Sequence, residues 1–160
     1  MEMNRIGLTI LVLFLLLQGC NSPESNTSQP ESNSVQVGPS NLNTIAGIEW
    51  RLTQMIVNND GVPLLPDATV TFLYTGDGKV AGSASINRYF GNLEMSKDGN
   101  ITWSEPGFGT TLMAGPPELM SQETKFLKSL KSVQQMYLKD STLTMESDDR
   151  SVYLVFVKDT

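Results

Sequence analysis

The chain has no histidine and a single cysteine, Cys20, among its 160 residues. Without histidine it lacks the commonest general base, the commonest metal ligand and the side chain that titrates near neutrality. Ser-His-Asp and Cys-His catalysis are excluded with it. One cysteine cannot close an intrachain disulfide or build a thiolate zinc site. Basic residues are few, 11 against 17 acidic, for a formal net charge of −6. There is no basic stripe, so binding to nucleic acid or to anionic head groups is not expected. No apolar run reaches the ~20 residues that a membrane-spanning helix needs.

The longest apolar run, Ile6 to Leu17, follows Arg5 and has the length of a signal-peptide core. It ends in Leu17-Gln18-Gly19-Cys20, which resembles the lipobox of bacterial lipoproteins. Residues 1–19 are therefore expected to be a lipoprotein signal peptide, with Cys20 lipidated. Anchoring that lasts needs more than one acyl chain, and the lipoprotein type would carry three. Residues 21–44 hold six Ser, five Asn and three Pro in 24 positions. Such a segment cannot offset its ordering entropy, so 20–44 reads as a flexible tether. As a coil it would reach roughly 27 Å. Asn21 is not the Asp that resembles an inner-membrane retention signal. The expected location is the cell envelope: the outer membrane facing the periplasm, if the cell has two membranes.

Residues 45–160 have the length of one domain, with 14 acidic and 10 basic side chains. Apolar residues alternate with polar ones in Ile48-Trp50-Leu52, Val70-Phe72-Tyr74 and Val80-Gly82-Ala84-Ile86. Turn signals separate them, among them Thr75-Gly76-Asp77-Gly78, Lys97-Asp98-Gly99-Asn100 and Ser147-Asp148-Asp149-Arg150. The final run, Val152 to Val157, is apolar on both faces and should be an interior strand. One segment breaks the period of two. Pro116-Pro117-Glu118 suits a helix start, and Leu119, Phe126, Leu127 and Leu130 share one helical side up to about Lys131. The expected fold class is mainly β: a compact antiparallel β-barrel-like domain of eight or so strands with one α-helix packed on it.

Glu123 falls inside the apolar arc of that helix. An unpaired carboxylate is expensive to bury, so it should meet a partner, and Arg88 is the best candidate. The pair could be a structural ion pair, backbone N–H groups could serve instead, or the carboxylate could floor a ligand pocket. Around Asn87-Arg88 the inward set changes from even to odd numbers, from Ile86 to Tyr89, Leu93 and Met95. A one-residue shift flips every side chain, so a bulge or corner is expected there. Asn87, Arg88, Tyr89 and Glu123 thus form a candidate polar cluster, structural or ligand-holding. Phe108, between two glycines, reads as a core plug or as an aromatic that swings over a barrel mouth. Asp148-Asp149 reads as a solvated turn.

Several stretches together are similar to one family. They are Ile48-Glu49-Trp50-Arg51-Leu52, Gly82-Ser83-Ala84 followed by Asn87-Arg88-Tyr89-Phe90-Gly91, Thr111-Leu112-Met113-Ala114, Pro116 and Glu123. In this order they resemble the META-domain (HslJ-like) family over nearly all of 45–160. The resemblance implies a compact, mainly antiparallel domain with one helix, in secreted or lipid-anchored envelope proteins. It implies association with envelope stress and no general enzymatic activity. Two positions depart from the family's pattern. Ile86 and Gly115 stand where relatives often carry Cys. If those cysteines pair in relatives, both halves of the cross-link are missing here.

The expected function is that of a non-enzymatic, lipid-anchored envelope protein, stress- or envelope-related, acting through protein contacts. The alternative is a lipocalin-like carrier of a small apolar ligand. No catalytic residue, metal or cofactor is expected. The expected partners are the membrane, through Cys20, and an envelope protein.

Overall fold

A computed structural model describes residues 33–159 of the chain. The expected signal peptide, Cys20 and the tether as far as residue 32 lie outside the described residues. Among the described residues eleven strands form in chain order: β1 Val35–Gln36, β2 Glu49–Val57, β3 Asp60–Val62, β4 Thr71–Gly76, β5 Lys79–Ser83, β6 Arg88–Met95, β7 Ile101–Trp103, β8 Gly109–Thr110, β9 Gln135–Lys139, β10 Thr142–Glu146 and β11 Val152–Lys158. The one α-helix among the described residues, α1 Pro117–Ser132, connects β8 to β9, and a short 3-10 turn covers Leu42–Ile45. Among the described residues no helix is long and apolar enough to cross a membrane.

Local chemistry accounts for the hairpins. Asp77 and Gly78 take φ of 50° and 76° between β4 and β5, the left-handed pair that a tight hairpin turn requires. Asn58 and Asn59 do the same between β2 and β3, with φ of 55° and 67°. Asparagine tolerates this region better than most residues. The helix begins with Pro117 in its first turn and Glu118 beside its positive end.

The strands make one antiparallel sheet in the order β1-β9-β10-β11-β2-β4-β5-β6-β7, with β3 on β2 and β8 on β6. As its apolar faces require, β11 is interior, between β10 and β2. The barrel-like expectation holds only loosely, because the sheet is not closed. Its end strands, β1 and β7, have two and three residues, too few for a ladder across the gap. Instead the Ile101 N–H donates to the Gln134 carbonyl at 2.8 Å. The Trp103 indole N–H donates to the Val133 carbonyl at 3.0 Å. These two bonds bridge a seam between β7 and the chain entering β9.

The inner face is filled by aromatic side chains. Trp50, Phe72, Tyr89, Phe126 and Phe156 are all fully buried. The Phe156 ring lies 6.0 Å from Phe72 and 6.5 Å from Phe126 of the helix. Burying each such ring contributes about 1.5–3 kcal/mol.

The tether reading is corrected at its C-terminal end. Residues 33–44 belong to the folded body: β1 pairs with Leu138 and Tyr137 of β9, and Val37 is fully buried. Polar composition argued against order, yet β9 offers an edge to which Val35-Gln36-Val37 can pair. The Val37 N–H closes that pairing on the Met136 carbonyl at 2.8 Å.

Candidate functional site

The candidate polar cluster forms where the β5–β6 hairpin meets the helix. The last pair of the hairpin is Ser83 with Arg88, and Ala84 to Asn87 make the turn, closed by an Ala84 N–H to Asn87 carbonyl bond of 2.8 Å. Ser85 has φ of 109°, a region costly for a residue with a Cβ. The Gln122 amide holds it there by donating to Ser85 Oγ at 3.1 Å. The expected corner is therefore a hairpin turn, and it produces the change of phase: Ala84 is buried before it, Asn87 and Tyr89 after it.

Asn87 turns inward from this hairpin and uses its whole hydrogen-bonding capacity. Its backbone N–H donates to Glu123 Oε2 at 2.8 Å. Its side-chain Nδ2 donates to Glu123 Oε1 at 2.8 Å and to the Met113 carbonyl at 3.2 Å. Its Oδ1 accepts from Thr111 Oγ1 and from the Met113 N–H, both at 2.8 Å. Thr111 Oγ1 accepts in turn from the Arg88 N–H at 3.1 Å. One asparagine thus ties together the hairpin, the helix and the segment after β8.

Of the four residues, the structure brings Asn87 and Glu123 together. It corrects the expected pairing of Arg88 with Glu123. Arg88 is exposed and makes no ion pair among the described residues, whose salt bridges join Arg51 to Asp159 and Lys131 to Glu105. The reason is alternation at the start of β6: Asn87, the last residue of the turn, and Tyr89 face inward, and Arg88 between them faces outward. A helical projection shows that Glu123 must be satisfied, but it does not show which strand residue faces it.

Tyr89 has a separate role. It sits across from Gly82, and its hydroxyl donates to the Thr71 carbonyl at 2.8 Å. A Cβ at position 82 would stand 2.8 Å from the Tyr89 ring and closer still to the Thr71 carbonyl, so glycine is required there. Burial pushes the Tyr89 phenol far above its ordinary range, so it acts as a neutral donor. Phe108 is a core plug, with ring centroids 5.5 Å from Tyr89 and 5.0 Å from Trp103.

The two positions where relatives often carry Cys are in contact. A Cβ on Gly115 would lie 2.7 Å from Cγ1 and from Cδ1 of Ile86. The isoleucine side chain occupies the space a side chain at 115 would need.

Beyond the clamp the chain exposes apolar side chains. Leu112 is 96% exposed, Phe90 61% and Met113 59%. Phe90 points outward from β6 on the same face as Arg88, with its ring over Gly109 of β8. Leu112 and Met113 lie just beyond β8, after Thr111. Sequence reading missed this surface, because Thr111-Leu112-Met113 reads only as a flexible lead into the helix until its hydrogen bonds to Asn87 are known. A recess of about 580 Å³ opens elsewhere, at the seam, with Trp103, Val133, Lys131 and Asp149 in its lining. Asp149 is held at a pKa of about 2, chiefly by the Ser147 hydroxyl and then by Ser151. Among the described residues no group of three His, Cys, Asp or Glu could hold a metal ion.

The fold recurs in solved structures. A protein from Burkholderia xenovorans, solved by NMR, superposes with a TM-score of 0.64 at 19% identity, covering 87% of this chain and 97% of that one. A DUF4847-family protein from Bacteroides vulgatus superposes with a TM-score of 0.54 at 14% identity, covering 72% and 96%. At these identities the likeness is one of fold. No curated protein sequence matches the chain. A family model for the META domain spans residues 43–160, from the 3-10 turn through the last strand, and the chain belongs to the META-domain family.

Proposed function

We propose that this chain is a non-enzymatic, lipid-anchored envelope protein whose META domain makes contacts with another envelope protein, in a stress- or envelope-related role. The observation that carries the reading is the pairing of exposure with rigidity after β8. Leu112 is 96% exposed, yet the residues on both sides of it are held by Asn87. Fixing a segment in advance lowers the ordering cost of binding, and burying a leucine contributes about 1.5–3 kcal/mol. The Arg88 guanidinium on the adjoining strand adds a free charge that can orient a partner. The alternative, an apolar-ligand carrier, has less support. Trp50, Phe72, Tyr89, Trp103 and Phe156 occupy the interior that a lipocalin-like ligand would need.

The anchor rests on the Leu17-to-Cys20 sequence. Cys20→Ala should move the protein from the membrane fraction to soluble periplasm or medium, and unchanged fractionation contradicts the anchor. For the contact surface, the double variant Leu112→Ser, Met113→Ser should melt at the wild-type temperature. It should also lose an envelope protein that co-isolates with the detergent-solubilised full chain. Full retention of that partner contradicts the assignment.

A further inference from the structure

Residues 109–114, Gly-Thr-Thr-Leu-Met-Ala, carry no charge and no proline. Those are two of the means by which a sheet edge is kept from pairing with another chain. The edge facing β6 is used throughout. Phe90 pairs with Gly109 and Tyr89 with Thr110, and the Thr111 N–H continues the ladder to the Arg88 carbonyl at 3.1 Å. The Met113 N–H and carbonyl then bond the Asn87 side chain, at 2.8 and 3.2 Å.

The opposite edge is free. Facing residues of an antiparallel ladder alternate between bonded and non-bonded pairs. Thr111 is bonded to Arg88, so Thr110, its neighbour, directs its N–H and carbonyl away from β6. Leu112, between Thr111 and Met113, does the same. No hydrogen bond among the described residues uses these outward groups. Thr111, Leu112, Met113 and Ala114 are all exposed, so the edge is open to a partner. A row of N–H and carbonyl groups at two-residue spacing is complementary to the backbone of an extended chain.

Charge narrows the occupant. Arg88 is exposed, and its cross-strand neighbours, Ser83 and Thr111, are uncharged. It makes no ion pair among the described residues. A strand added outside β8 would lie two spacings, about 9–10 Å, from β6. That is within the combined reach of an arginine and a glutamate side chain.

We propose that the partner supplies an extended, acidic segment that pairs as an added strand with the outer edge of residues 109–114. This rests on the contact surface proposed above and specifies how that surface is used. Backbone bonds to Thr110 and Leu112 hold the segment, the Leu112 side chain packs on it, and Arg88 meets its carboxylate.

The probe is a short blocked peptide alternating valine and threonine with one central glutamate, added to the ¹⁵N-labelled full chain in detergent. Half-saturation on the order of 0.1–1 mM is expected. Hydrogen exchange should slow at the Thr110 and Leu112 N–H groups and stay unchanged at Thr111 and Met113, a pattern that side-chain docking alone does not produce. Lysine in place of the peptide's glutamate should weaken binding roughly fivefold or more in wild type, and not in Arg88→Gln. Thr110→Pro removes an outward N–H that the fold does not use, so it should fold and lose the peptide, whereas Thr110→Val should keep it. Protection without the alternation, equal affinity for the two peptides, or undiminished binding in Thr110→Pro would overturn the proposal. So would protection that appears without peptide and grows with protein concentration, which makes a second copy the occupant. If Thr110→Pro fails to fold, the exchange pattern in wild type decides alone. The surface has its own readout. Loss of the co-isolating partner in Leu112→Ser, Met113→Ser with retention in Thr110→Pro keeps the surface and overturns strand addition, and retention in both overturns both.

Discussion

Replacing Glu123 with glutamine changes no volume and removes one acceptor. In the native protein both carboxylate oxygens face N–H donors, the Asn87 backbone N–H and Asn87 Nδ2, each at 2.8 Å. A glutamine amide offers one oxygen and one NH₂. Whichever way it turns, one Asn87 donor meets another donor at the distance of a hydrogen bond. The bond that survives falls from charge-assisted to neutral, a loss of about 1 kcal/mol. The bond that fails leaves a buried donor unsatisfied, which costs about 1–3 kcal/mol. Together these come to roughly 2–4 kcal/mol. For a domain of this size each kcal/mol lowers Tm by about 3–5 °C. Glu123→Gln should therefore melt roughly 6–20 °C below wild type, by far-UV circular dichroism at neutral pH. A Tm within about 2 °C of wild type would refute the clamp as described. Arg88→Gln is the control: because Arg88 makes no pair with Glu123, it should leave Tm unchanged.

The contact between positions 86 and 115 yields a second prediction. The 2.7 Å from a Cβ at 115 to Ile86 Cγ1 is near the ~3 Å between Cβ and the far sulfur of a disulfide. Ile86→Cys with Gly115→Cys should oxidise spontaneously and raise Tm, whereas Gly115→Cys alone, facing the isoleucine, should lower it. Free thiols at positions 86 and 115 of the oxidised double variant, located by alkylation and peptide mass spectrometry, would contradict this. A third concerns acid. Asp149 has its carboxyl lowered from 3.8 to about 2 by Ser147 and Ser151. A depressed carboxyl adds stability above its unfolded pKa and loses it as pH falls through its folded one. Asp149→Asn should therefore flatten the acid side of the Tm-against-pH curve between about 4 and 2. A parallel curve, merely offset from wild type, would contradict the assignment.

Much of the fold is legible where the cause is local. Asp77-Gly78 marks its hairpin, Pro117-Glu118 marks the helix start, and the two-sided apolar run of β11 marks an interior strand. The position of Glu123 in the apolar arc shows that its carboxylate is buried and satisfied. Its partner is not legible, because a helix projection gives an azimuth and not the residue opposite. The identity of that partner depends on Ser85, whose φ of 109° turns Asn87 inward. The β2–β3 turn had a readable signal in Asn58-Asn59, but β3 has three residues of which two are exposed, so the alternation was too short to register. Pairing of β1 and the open seam are tertiary outcomes. They depend on where the free edge of β9 lies and on how far the twisted sheet carries β7 toward it.

The central claim is that the segment after β8 is a rigid contact surface toward an envelope partner. Site-specific photo-crosslinking in living cells tests it most directly, with the photoreactive residue at Leu112 and, as control, at exposed Thr53 on β2. The expected result is one discrete cross-linked species from position 112 and none from position 53. The Leu112 species should weaken when Glu123→Gln releases the clamp. Identical labelling from both positions, or an undiminished Leu112 cross-link in Glu123→Gln, would contradict the account.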